Sequence, residues 1–285
     1  MKYRDLYNQG IAELSSENIP DAKIDARLLL EFACKTDRNV LFLKGDMEVS
    51  EVDEKAYWDL IAKRKMHIPL QHLTGEQEFM GLTFKVNENV LIPRQDTECL
   101  VEIVLKHLHD GMRILDMCTG SGCILISLLH YSNDCVGVGV DLSEEALKVA
   151  THNATVLGDN GLAKTKDVTF VQSDLFENVD GKFDIVVSNP PYIKTEVIKT
   201  LMPEVKDFEP MMALDGTEDG LYFYRRIIAD AKKHLTRGGQ LFFEIGYDQG
   251  EEVSDLMSEN GYVDVEVAKD LAGLDRVVYG TFLEE

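Results

Sequence analysis

Ten residues, Phe183 to Tyr192, read Phe-Asp-Ile-Val-Val-Ser-Asn-Pro-Pro-Tyr and restrict the fold more than any other stretch. Ile185, Val186 and Val187 form a continuous β-branched run, the pattern of a strand buried on both faces of a parallel sheet. Pro190 and Pro191 lack a backbone N–H and fix φ, so a central strand must stop before them. The residue before a proline is pushed to extended geometry. Asn189 is thereby held at the carboxyl end of the strand, where open α/β sheets bind ligands. Asn-Pro alone is ordinary turn chemistry. Asn-Pro-Pro-Tyr directly after an apolar strand is far more specific. An amide nitrogen brought there can donate to the Asn189 oxygen and to the Pro190 carbonyl, and lie flat against Tyr192.

The rest of the chain fits around that strand. Residues 1–75 are helical in pattern and poor in glycine, with Tyr7, Ile11 and Leu14 on one stripe and Ile24, Leu28 and Phe32 on a second. Asp37 and Ser50 are placed to cap helices. No reactive cluster lies here, which suits a small helical domain that serves a partner. Residues 76–93 alternate in character, with Asn87-Glu88-Asn89 as the turn of a linking hairpin. Asp96 or Thr97 is expected to cap the next helix, with Arg94 to Glu98 making an ordinary exposed ion pair. From Met112 onward strands and helices alternate, which implies a parallel sheet with right-handed crossovers, so residues 94–285 form an α/β domain. Residues 204–220 are expected to be a long loop, a lid or substrate rim, followed by a helix over 221–235 that ends at Gly238-Gly239.

A ligand-binding edge follows from the strand ends. Cys118, Thr119, Gly120, Ser121 and Gly122 make a tight loop after the strand Arg113–Asp116, and its glycines allow a ligand to approach a helix N-terminus. The dinucleotide fingerprint needs Gly or Ala three residues after Gly122, where Leu125 stands, so pyrophosphate binding is disfavoured. Asp141 ends the second strand, where an acid binds ribose hydroxyls. Asp174 ends the third and can receive an adenine amino group, with Leu175 or Phe176 packing on the ring. Taken with Asn189, these residues point to S-adenosylmethionine.

Composition removes several classes. With 29 basic and 51 acidic residues the formal charge is −22, which repels nucleic-acid phosphates at long range. No apolar run approaches the ~18 residues of a membrane helix. The start lacks the apolar core of a secretory signal. Five cysteines without paired spacing argue against a metal site and read as reduced thiols of a cytoplasmic protein.

The chain resembles the release factor glutamine methyltransferases, the HemK/PrmC-type family, over nearly its whole length. The resemblance rests on Leu91-Ile92-Pro93-Arg94 with Thr97-Glu98, on Ile114-Leu115-Asp116 with Thr119-Gly120-Ser121-Gly122, and on Asn189-Pro190-Pro191-Tyr192-Ile193. It continues through Glu209-Pro210, Ala213-Leu214-Asp215-Gly216, Gly220-Leu221, Tyr224-Arg225 and Asp270-Leu271-Ala272-Gly273 with Asp275-Arg276. Cys118 departs from it, standing where members often carry glycine, and Gln95-Asp96 replaces a common Pro-Glu pair. The resemblance implies an N-terminal helical domain, a β-hairpin linker and a Rossmann-like methyltransferase domain. It implies N5-methylation of the glutamine in the Gly-Gly-Gln motif of class 1 peptide chain release factors, with S-adenosylhomocysteine as product. Asn189, Pro190 and Tyr192 are then the catalytic candidates, and Pro191 joins them in holding the acceptor. A ribosomal-protein glutamine methyltransferase, a nucleic-acid adenine N6-methyltransferase and a catalytically silent binding module are the alternatives.

Overall fold

Arginine at position 64 sits in the interior of a helical unit, 3% exposed, and carboxylates surround it. Its Nε donates to Asp25 Oδ2 at 2.7 Å, its Nη2 to Glu204 Oε1 at 2.6 Å and its Nη1 to the Ile68 carbonyl at 3.2 Å. The computed structural model describes residues 1–283 and separates into two compact units: residues 1–76 with 202–208, and residues 77–201 with 209 onward.

The first unit contains α1 (Tyr3–Ser16), α2 (Ala22–Cys34), α3 (Arg38–Leu43), α4 (Glu51–Lys65) and α5 (Leu70–Thr74). Asp37 accepts from the backbone N–H groups of Asn39 and Val40, and Ser50 from that of Asp53, so both expected caps form. Leu6, Leu14, Ala26, Leu29, Leu30, Tyr57 and Ile61 make the core. The stripe expected on α2 is displaced. Ile24 and Phe32 are 49% and 48% exposed, and α2 buries Ala22, Asp25, Ala26, Leu29 and Leu30 instead. Asp25 explains the shift: its pairing with buried Arg64 turns that face of the helix inward.

The second unit opens with a hairpin of β1 (Glu76–Phe79) and β2 (Leu82–Lys85). Its turn is Met80-Gly81, with φ of 50° and 71°, and not Asn87-Glu88-Asn89. Two consecutive positive φ values suit a tight two-residue turn whose twist matches the strands. Val90 to Ile92 forms no strand. Then come α6 (Gln95–His107), β3 (Arg113–Met117), α7 (Cys123–Tyr131), β4 (Val136–Asp141), α8 (Glu144–Asp159), β5 (Val168–Gln172) and β6 (Phe183–Ser188). The strands β7 (Leu235–Glu244), β8 (Tyr262–Lys269) and β9 (Asp275–Phe282) complete a seven-stranded sheet of order β5-β4-β3-β6-β7-β9-β8. The pairs from β5 to β7 are parallel, and β9 is antiparallel to both neighbours.

The expected helix 221–235 is shorter, Tyr222–Ala231, and β7 starts at Leu235. The register jumps from Phe183–Leu235 to Ile185–Gln240. Gly238, at φ 79°, lets the extra residues bulge out, so the glycine pair sits in a strand irregularity and ends no helix. Alternate residues of the central strands face opposite cores. Ile114, Ile185 and Val187 pack with α6 and α7, whereas Leu115, Met117 and Val186 pack with Tyr224 and Ile227 of the helix Tyr222–Ala231. The chain lays β4 and β5 on one side of β3 and then returns with β6 on the other. Such a reversal opens a crevice at the carboxyl ends of β3 and β6.

Candidate active site

A cavity of about 500 Å³ occupies that crevice. Its size is within the roughly 300–1,000 Å³ of small-molecule sites. Cys118, Thr119, Gly120, Ser121, Asp141, Asp174, Leu175, Asn189 and Pro191 line it. Gly122, Pro190 and Tyr192, also expected at the site, are not among the lining residues.

The loop after β3 is shaped by left-handed backbone. Cys118, Gly120 and Gly122 have φ of 63°, 54° and 79°. A Cβ on Gly120 would meet no atom within 4 Å, so this glycine is required by its φ and leaves an open cradle. Gly122 is a packing residue, since a Cβ there would stand 3.1 Å from Ile126 and 3.2 Å from Ala150. Cys118 holds a left-handed conformation that suits glycine, so the cysteine stands there at a conformational cost. Burial pushes its thiol up, which disfavours the thiolate.

Asp141 ties the loop to the second strand. Its Oδ2 accepts from Gly120 N and its Oδ1 from Ser143 N, each at 2.9 Å. Burial raises its carboxyl, and those N–H groups pull it back down. Beneath the loop, Asp116 is fully buried, accepts from Thr119 Oγ1 at 2.6 Å and is pushed up to about 7 by burial. Asp174 is 38% exposed and paired with Arg226 at 2.9 Å, a partner the sequence did not indicate. Of the two candidates for packing on an adenine, Leu175 lines the cavity. Phe176 stacks on His234 with centroids 4.8 Å apart.

The segment after β6 is stitched in place by distant residues. Ile193 N donates to the Leu214 carbonyl at 3.0 Å, and Gly216 N to the Ile193 carbonyl at 2.8 Å. Thr195 Oγ1 donates to Asp215 Oδ1 at 2.6 Å. A Cβ on Gly216 would stand 2.7 Å from the Tyr192 backbone, so the Ala-Leu-Asp-Gly segment can approach only as glycine. Gln249 Nε2 donates to the carbonyls of Tyr192 and Gly220. The expected loop 204–220 is therefore no free lid. It contains short helical turns at Pro203–Lys206 and Met211–Leu214, and Pro210 to Ala213 form a wall of the cavity. Arg94 lines the cavity too and pairs with buried Glu209 at 2.6 Å, not with the acids of its own segment.

Neither Asp96 nor Thr97 caps α6, whose N-cap position is Arg94. Thr97 is instead buried and turned to Asn189, whose Nδ2 donates to Thr97 Oγ1 at 3.4 Å. Tyr192 donates its hydroxyl to Glu244 Oε1 at 3.3 Å, and its ring packs into a core. Glu244 is raised by burial and drawn back by Thr97, Arg276 and Tyr192. Arg276 pairs with Asp270 at 3.1 Å, which gives the Asp270–Arg276 motif a structural task. Glu244, Gln249 and Arg226 escaped the sequence reading, whereas Thr97 stood in it as a helix cap and a motif residue and not as a partner of Asn189.

Among the described residues no helix is long and apolar enough to cross a membrane, and no group of acids, histidines and cysteines could hold a metal ion.

Residues 5–75 match the PrmC N-terminal domain and residues 94–204 the methyltransferase small domain. A methyltransferase from Pyrococcus furiosus shares the fold at 16% identity, with a TM-score of 0.52 over 72% of this chain and 90% of its own. The release factor glutamine methyltransferase of Clostridium botulinum is 40% identical over 98% of both chains. That of Clostridium acetobutylicum is 42% identical, again over 98% of both. With such identity along its whole length, and a cavity where the fold binds ligands, this chain is a methyltransferase and belongs to the release factor glutamine methyltransferase family.

Proposed function

We propose that the chain transfers a methyl group from S-adenosylmethionine to the side-chain nitrogen of the glutamine in the Gly-Gly-Gln motif of a class 1 peptide chain release factor. S-adenosylhomocysteine is the second product, and the nitrogen gives up one proton to water. The observation that carries this reading is Asn189 on the cavity wall, at the end of β6 and across the switch point from the glycine loop. The residues present fit the cofactor: an open glycine cradle, Asp141 for ribose hydroxyls, and Asp174 with Leu175 for an adenine. When bound, that cofactor supplies a methyl group made electrophilic by a sulfonium.

An amide nitrogen is a poor nucleophile because its lone pair is delocalised into the carbonyl. The task of the protein is positioning and charge stabilisation. Asn189 Oδ1 accepts one amide hydrogen and the Pro190 carbonyl the other, which favours a tetrahedral nitrogen as positive charge develops. Tyr192, anchored on Glu244 and Gln249, holds the segment rigid behind the cavity wall. No base is needed before transfer, since the proton leaves afterwards. Residues 1–75 serve as the recognition domain, 76–93 as the linker and 94–285 as the catalytic domain. We assign the reaction to the cytoplasm, where release factors act.

The test is labelled S-adenosylmethionine with a release factor, a ribosomal protein and RNA as acceptors. Label on the release factor, lost when its motif glutamine becomes glutamate, is the expected result. Label only on the ribosomal protein or RNA overturns the reading.

A further inference from the structure

We propose that two buried carboxamides, Asn153 and Gln249, are positioning residues that hold the two halves of the site separately, Asn153 the cofactor half and Gln249 the acceptor half. The inference rests on the roles given above to the glycine loop and to Asn189. Asn153, on α8, is 2% exposed, and Gln249, in the turn after β7, is 5% exposed. Their partners fix the sense of each amide, because a backbone N–H only donates and a backbone carbonyl only accepts. Asn153 Oδ1 accepts from Lys85 N at 2.7 Å, and its Nδ2 donates to the carbonyls of Lys85 at 3.1 Å and Ser121 at 2.9 Å. Gln249 Oε1 accepts from Gly246 N at 2.9 Å, and its Nε2 donates to the carbonyls of Tyr192 at 3.2 Å and Gly220 at 3.3 Å.

Each amide joins two segments that line the cavity. Ser121 belongs to the glycine loop, and Lys85 ends β2 and leads into Asn89, Val90 and Leu91, all on the cavity wall. Val86 and Val90 pack with Ala146 and Val149 of α8. Ala146, Val149 and Asn153 recur at helical spacing, so one face of α8 carries that wall. On the acceptor side, Tyr192 follows Pro191, and Gly220 closes the segment that holds Pro210 to Ala213 on the wall. The chain makes room for the Gln249 amide. Gly220 has φ of 76°, and a Cβ there would stand 2.5 Å from the Tyr192 carbonyl oxygen, while one on Gly246 would stand 2.9 Å from Gln249 Oε1. The two amides share no partner among the described residues. A carboxylate of the same shape keeps the bond from the N–H and sets its second oxygen against two carbonyls, so the segments it joined come apart.

Asn153→Asp and Gln249→Glu make that change in one half at a time, and Asn153→Leu and Gln249→Met are the apolar counterparts. The full chain is assayed for S-adenosylhomocysteine affinity by calorimetry, for kcat on a release factor at saturating S-adenosylmethionine, and for thermal unfolding. Asn153→Asp is expected to lose affinity by roughly tenfold, the worth of one hydrogen bond, with kcat near wild type. Gln249→Glu is expected to lose kcat by about 10²-fold, the cost of a misplaced reactant, with affinity near wild type. Each variant is the other's control, since a residue that only stabilises the domain moves both readings together or neither. The apolar counterparts should show the same split, and they decide the case in which a carboxylate prevents folding. Loss of both readings in proportion, loss of neither, or a residue at which neither variant folds overturns the proposal. Wild-type label on RNA and not on protein defeats the substrate reading alone, and kcat is then read on RNA.

Discussion

Asp141 carries two duties at once, and replacing it separates them. Its carboxylate accepts from Gly120 N and Ser143 N, each at 2.9 Å, and it also lines the cavity. Asp141→Ala removes both bonds. A hydrogen bond to a charged group is worth about 1.5–3 kcal/mol. Gly120 and Ser143 are half-buried, so water replaces part of what is lost, and the fall in unfolding free energy is expected at about the value of one bond, not two. If the same carboxylate holds ribose hydroxyls, affinity for S-adenosylhomocysteine falls by a similar amount, roughly 10- to 150-fold. Asp141→Asn refines the test. Its amide keeps one acceptor oxygen and sets NH2 against the remaining N–H, so it can retain only one of the two loop bonds. Urea unfolding should place this variant between wild type and Asp141→Ala. Calorimetry should place both variants well below wild type in affinity. If stability drops as described and affinity stays at the wild-type value, Asp141 is a tie for the glycine loop and the cofactor assignment fails.

Asn189→Ala should lower methyl transfer by about 10²–10³-fold, as loss of a preorganised polar partner does elsewhere, while S-adenosylhomocysteine binding stays near wild type. Equal losses in both would make the residue structural. Asp116 gives a pH test: burial pushes its carboxyl up to about 7, against ~3.9 in an unfolded chain. The folded state then holds that proton more tightly, so the contribution to stability is complete below pH ~4 and is lost as pH rises through about 7. Asp116→Asn should gain stability relative to wild type between pH 5 and 8 in urea unfolding, and parallel profiles would refute the shift. Arg64→Ala strands buried Asp25 and should destabilise the helical unit by about 3–5 kcal/mol, seen as faster proteolysis of residues 1–76 with unchanged S-adenosylhomocysteine affinity.

The sequence shows most of the sheet because its signals are local. Ile185 to Val187 announce a buried strand, Pro190 ends it, and acids stand at successive strand ends. The chain order of those elements suffices to bring Gly120, Asp141, Asp174 and Asn189 to one edge. Where local signals compete, the reading slips. Asn87-Glu88-Asn89 is a stronger turn signature than Met80-Gly81, yet the latter takes the turn, with Phe79, Leu82 and Phe84 on its arms buried in a core. Ile24, Leu28 and Phe32 are more apolar than Asp25, yet Asp25 faces inward because Arg64, on another helix, pairs with it.

What stays hidden in the chain is pairwise and long in range. Asn189 meets Thr97 across 92 positions, and Arg94 meets Glu209 across 115. No periodicity marks such partners, since a single hydrogen bond leaves no pattern in the residues around it. Thr97 reads as a helix cap because threonine near a helix start usually is one. Once its neighbours are in place, its side chain is buried and its hydroxyl accepts from the Asn189 amide instead. The visible motif supplies an amide at the strand end, which by itself could face a donor or an acceptor. The partner that meets it lies outside the motif, on α6. An adenine amine and a glutamine amide both donate N–H, so the surfaces beyond the cavity must select the molecule that carries the acceptor.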